Sequence, residues 1–121
     1  MARKGAGIVV KVKKEFVNTS RLASMSYYNC GVIIPKGKEF VVCEWCEDEI
    51  SSETVKLFKD IFDESQLKSQ DIDLIISTLI DISMNKDRRY AYYEKQKICN
   101  LVYVESLMNQ GLVEVEWYDW M

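Results

Sequence analysis

FVVCEWCEDEI, residues Phe40–Ile50, joins two different periodicities. Upstream of it, β-branched and aromatic residues alternate with polar ones at period two, the pattern of half-buried strands. Downstream, from Ser51 or Ser52, either a good N-cap, apolar residues recur at three and four positions, the pattern of a helix buried along one stripe. Strands grouped before helices, and not interleaved with them, predict an α+β fold with a mostly antiparallel sheet.

On the upstream side, GIVVKVKKEF sets Ile8, Val10, Val12 and Phe16 on one parity and Lys11, Lys13 and Glu15 on the other, so it reads as one strand. NTSRLASMSYYNCG has no clear period and reads as irregular. In CGVIIPKGKEFVVCEW, two β-rich runs flank Pro35-Lys36-Gly37. Proline presets the first central position of a type I turn and Gly37 accepts a left-handed conformation, so the segment is expected to be a bulged hairpin.

On the downstream side, Val55, Phe58 and Phe62 share a face, with Leu57 and Ile61 beside them. QLKSQD interrupts, and Ser69 is placed to cap a second helix carrying Ile72, Ile75, Ile76, Leu79 and Ile80. With Leu74 and Ile82 added, that helix is apolar around more than half its circumference, so it is expected to be the most buried one. A third helix runs from about Arg88 to Gln110, with Gly111 where a C-cap glycine belongs. LVEVEWYDWM then alternates Val113, Val115 and Trp117 against Glu114 and Glu116, a closing strand that puts Tyr118 and Trp120 on the polar face. The expected architecture is an N-terminal strand, a β-hairpin and a C-terminal strand in one sheet. Three helices pack on one face, in a single domain over residues 1–121.

A chain of 121 residues that is 48% apolar, with fourteen aromatics, has the material for a real core. It contains no run of eighteen apolar residues, and MARKGAGIVVKVKK lacks the apolar segment of a secretory signal. The expected location is the cytoplasm, where Cys30, Cys43, Cys46 and Cys99 are reduced thiols. There is no histidine. That removes Ser-His-Asp and Cys-His catalysis and every histidine metal site, and it makes a non-enzymatic role the expectation, with no cofactor.

Cys43 and Cys46 form the only close cysteine pair. A structural zinc site takes four ligands, usually from two such pairs, and residues three apart on a continuous strand face opposite ways. Both thiols reach one metal only if the chain turns at Glu44–Trp45. A small zinc-binding structural module is therefore kept as a secondary alternative, behind plain buried or incidental thiols.

Charge is distributed more tellingly. Residues 1–40 carry eight basic and two acidic side chains, residues 41–85 three and eleven, residues 86–121 five and six, for net charges of +6, −8 and −1. Glu47, Asp48, Glu49 and Glu53 suit a helix N-terminus, but helix-end electrostatics accounts for only a few of the eleven acids. The leading expectation is an acidic and aromatic partner-binding surface of Glu44, Trp45, Glu47, Asp48, Glu49, Asp60, Asp63, Tyr118 and Trp120. Its partner is expected to be a macromolecule, or a second copy of the chain.

The lysine-rich, isoleucine-rich, histidine-free composition suggests a phage or mobile-element protein that inhibits a host defence system, for example a CRISPR effector nuclease. The main alternative is a nucleic-acid-binding regulator. KDRRYAYYEKQK interleaves Arg88, Arg89 and Lys95 with Tyr90, Tyr92 and Tyr93, a mixture suited to phosphate contacts and base stacking. Against it stand a pI near 5 and the commoner use of such tyrosines at the edge of a core.

Overall fold

In a computed structural model, described for residues 5–20, 30–46, 58, 60–62, 66–85 and 88–119, strands and helices form an α+β fold. The strands are β1 (Gly5–Val12), β2 (Phe16–Val17), β3 (Ile33–Ile34), β4 (Glu39–Cys46), β5 (Gln66–Leu67) and β6 (Val113–Asp119). The helices are α1, of which residues 58 and 60–62 are described, α2 (Ser69–Asn85) and α3 (Arg88–Asn109). An antiparallel sheet has the order β4-β1-β6-β5, and β2 pairs with β3 in a separate two-stranded ribbon.

The alternation read from the sequence sets the faces. Ile8, Val10 and Val12 on β1, Val113, Val115 and Trp117 on β6, and Phe40, Cys43 and Trp45 on β4 all point into one buried core. Against them lie Phe58 and Phe62 of α1, Ile72, Ile75 and Leu79 of α2, and Leu101, Val104 and Leu107 of α3. Trp117 is the hub: it stacks on Trp45 at 5.8 Å and meets the rings of Phe58 and Phe62, each also at 5.8 Å. Each such aromatic pair adds roughly 1 kcal/mol beyond the area it buries. The helices thus sit on one face of the sheet, as expected.

The hairpin expected between the runs around Pro35 does not form. Ile33 and Ile34 pair with Val17 and Phe16, and β4 pairs with β1. The turn itself is present: Gly37 has φ +89° and the Lys38 N–H donates to the Pro35 carbonyl at 3.3 Å. That hydrogen bond makes Pro35 the first residue of the turn and Gly37 the third, so a glycine with positive φ fits a type II turn. The Gly37 N–H donates to the Val12 carbonyl and the Val12 N–H to the Lys38 carbonyl, both at 2.9 Å, which fastens the turn to the end of β1.

The strand read through Phe16 is likewise two strands. It breaks at Lys13 and Lys14, whose N–H groups both donate to the Leu112 carbonyl, and Phe16 continues in the ribbon. β5, inside the segment read as an interruption, adds a fourth strand: Leu67 is buried opposite Val115.

On β4 the register slips between Ile8/Val9 and Cys43/Val41, leaving Val42 as an extra residue. The bulge lets Val42 and Cys43, adjacent in sequence, both be buried, and the Asn100 side-chain amide donates to the Val42 carbonyl at 3.2 Å.

The helix ends have identifiable causes. Ser69 does not cap α2; the Lys68 carbonyl accepts the Ile72 N–H, and Asp71 Oδ2 accepts the Lys68 N–H at 2.7 Å, the reciprocal half of a capping box. Ser69 instead donates to Asn109 Oδ1 at 2.8 Å, joining the start of α2 to the end of α3, so the two helices run antiparallel. At the end of α3, Leu112 N–H donates to the Leu107 carbonyl and Gly111 N–H to that of Met108, with Gly111 at φ +73°. This is the Schellman arrangement expected of a glycine cap. α2, expected to be the most buried helix, is buried along one face only: Ile72, Ile75 and Leu79 are in the core, while Leu74 and Ile80 are exposed and Met84 is 77% exposed. One helix face suffices to cover the sheet.

Candidate functional site: the open face of the sheet

The residues of opposite parity form the other face of the sheet, and among the described residues no element covers it. In the antiparallel register, Val41 and Glu116 flank Val9, and Glu39 and Glu114 flank Lys11. Glu44 and Tyr118 lie on either side of Gly7, and Tyr118 is 55% exposed. Among the described residues, four carboxylates, Glu39, Glu44, Glu114 and Glu116, share this face with Lys11 and Lys13, for an excess of two negative charges.

Cross-strand ion pairs organise the charges. Lys11 Nζ lies 3.3 Å from Glu116 and 3.8 Å from Glu39, bridging three strands, and Lys13 Nζ lies 3.4 Å from Glu114. All are open to solvent and contribute at most about 1 kcal/mol each. They set the layout of the face more than its stability.

Of the residues expected to contact a partner, Glu44 and Tyr118 stand on this face. Asp60 is exposed on α1. Trp45 is a correction: it is fully buried, stacked on Trp117, with Lys97 Nζ 5.3 Å from its ring centroid. Its parity with Cys43 turns it into the core, so it cannot touch a partner. Glu47, Asp48, Glu49, Asp63 and Trp120 lie outside the described residues. Parity along β6 already sets Glu114 and Glu116 on the face of Tyr118, although they were not counted among the contact residues, and Glu39 reaches that face through the pairing of β4 with β1.

β4 runs unbroken through Cys46, so the turn that a shared Cys43–Cys46 metal would need is not there. Cys43 is buried beneath α3, its thiol donates to the Lys97 carbonyl at 3.8 Å, and burial pushes its pKa up to about 12. It remains protonated at neutral pH, a poor nucleophile and a poor metal ligand. Among the described residues no group of three histidine, cysteine, aspartate or glutamate side chains is arranged to hold a metal.

Beside Cys43, the buried carboxylate of Glu94 lies 3.7 Å from Lys97 Nζ, one turn along α3. With the cation over Trp45 this network ties α3 to β4. Arg88, Arg89, Tyr90, Tyr92 and Tyr93 fall in the first turns of α3, and Lys95 on the same helix is exposed. The side chains of residues 88–93 lie outside the described set.

Among the described residues no helix is long and apolar enough to cross a membrane. No family model matches the chain, and no curated protein or solved structure matches it.

Proposed function

We propose that this chain is a non-enzymatic binding protein of the cytoplasm that occupies the surface of a macromolecular partner through the open face of its sheet. The observation that supports the reading is that uncovered face. Its exposed tyrosine, apolar Val9 and Val41 and four carboxylates lie beside one another on a rigid antiparallel scaffold whose opposite face is filled by the core. An aromatic and apolar centre with a charged surround is the usual composition of a protein interface.

The sign of the charge selects the partner. An excess of carboxylates repels nucleic acid and favours a basic surface, such as a groove that normally holds DNA or RNA. A host defence nuclease, for example a CRISPR effector, is a partner of this kind, and a phage- or mobile-element-encoded inhibitor that fills its groove is the role we assign. The test is charge reversal on the face. Glu44→Lys with Glu114→Lys, both at strand positions open to solvent, should weaken partner binding at least tenfold and flatten its salt dependence while leaving the circular dichroism spectrum unchanged. A folded double variant that binds as tightly as wild type contradicts the proposal.

A further inference from the structure

A groove of about 490 Å³ opens over β4, β1 and β6 on the open face. By register, Val9 and Val41 form its middle, Tyr118 stands towards one end, Lys11 and Glu39 towards the other, and Glu116 lies along the β6 side. The groove therefore combines an apolar strip, an aromatic ring and two carboxylates. Among the described residues a single ammonium, that of Lys11, is paired with these carboxylates, at 3.3 and 3.8 Å. One negative charge is left in excess. Because both ion pairs are solvent-exposed and weak, a cation of better geometry can take over a carboxylate at little cost.

We propose that this groove receives an arginine side chain presented by the partner. A guanidinium is planar, donates two parallel hydrogen bonds to a carboxylate and stacks on a tyrosine ring, while its alkyl stem packs on Val9 and Val41. Lysine supplies the same charge without the plane or the fork, so the groove discriminates between the two. Lys11 holds the carboxylates in place until the guanidinium displaces it. The inference rests on the acidic-face reading above and names the group that this face recognises.

The test is a titration of isotope-labelled protein, followed by amide chemical shifts, with a capped Gly-Arg-Gly-Arg-Gly peptide and its lysine counterpart. The arginine peptide should move the amides of Val9, Lys11, Val41, Glu116 and Tyr118 and bind at least about threefold tighter than the lysine peptide. Glu39→Gln with Glu116→Gln should weaken it about fivefold or more, and Tyr118→Leu should bring the arginine-to-lysine ratio towards one. Equal affinities for the two peptides, shifts mapping elsewhere, or no response up to about 10 mM peptide would overturn the inference. Such a failure is separable from failure of the acidic-face reading, because Glu44 and Glu114 do not line the groove. If their charge reversal still abolishes partner binding, the face stands and only its arginine specificity falls.

Discussion

Replacing Glu105 by Gln should stabilise the protein above neutral pH and leave it unchanged in mild acid. Glu105 of α3 shares a hydrogen bond with Asp73 of α2, and this bond, together with partial burial and the Asp73 charge, raises the Glu105 pKa from 4.5 to about 7. The native state therefore holds a proton that the unfolded chain releases at about 4.5. The stability this proton contributes is complete below the unfolded value and is lost as pH rises through about 7. At 1.36 kcal/mol per pH unit the full displacement corresponds to about 3 kcal/mol, and solvent screening at this partly exposed carboxyl reduces it to about 1 kcal/mol. Glu105→Gln keeps a neutral donor for Asp73 at every pH.

Urea unfolding of both proteins at intervals from pH 4.5 to 8.5 gives the difference directly. The variant should match wild type at pH 4.5 and exceed it by about 1 kcal/mol at pH 8, or about 4 °C in Tm. A difference that does not vary with pH, or that favours wild type at pH 8, refutes a shared proton between α2 and α3.

Three further outcomes follow from the same structure. Gly111→Ala places a Cβ in open space, so its cost is that of the left-handed backbone alone: about 1 kcal/mol by urea unfolding, with Gly111→Asn costing less than half as much. Brief iodoacetamide treatment at pH 8 followed by peptide mass mapping should label the exposed Cys30 and Cys99 and spare Cys43 until denaturant is added. A low-salt gel shift with mixed DNA and RNA should give no retarded band at micromolar protein; a shift abolished by Arg88→Ala with Arg89→Ala would transfer the function to the start of α3.

The sequence made single elements legible and their partners illegible. Alternation in β6 gave the core residues Val113, Val115 and Trp117 and the exposed Tyr118 correctly. The apolar stripe and Gly111 gave α3 to within a residue. Period two says that a segment is a strand but not what it pairs with. The turn at Pro35–Gly37 was therefore visible, while its use as a connection between the ribbon and the sheet was not.

β5, at two residues, is too short to carry a period, and the kink at Lys13–Lys14 depends on the Leu112 carbonyl about a hundred residues away. α2 was judged by how apolar it is, yet exposure is decided by what packs against it, and Leu74, Ile80 and Met84 have nothing described over them. At the candidate site, Glu44 and Tyr118 were readable from parity. Glu114 and Glu116 share the parity of Tyr118 on β6, whereas Glu39 of β4 joins that face only once the order β4-β1-β6 is known. Trp45 was misassigned because its run of acidic neighbours outweighed its parity with Cys43.

The central claim, that the open face of the sheet is the binding surface, is tested most directly by affinity capture from the native host. Wild type and the Glu44→Lys, Glu114→Lys double variant should be compared side by side, with mass spectrometry of the eluates. Wild type should retain a partner protein with a basic surface in low salt, and the folded variant should lose it. Retention of the same partner in equal amount by the variant would contradict the account.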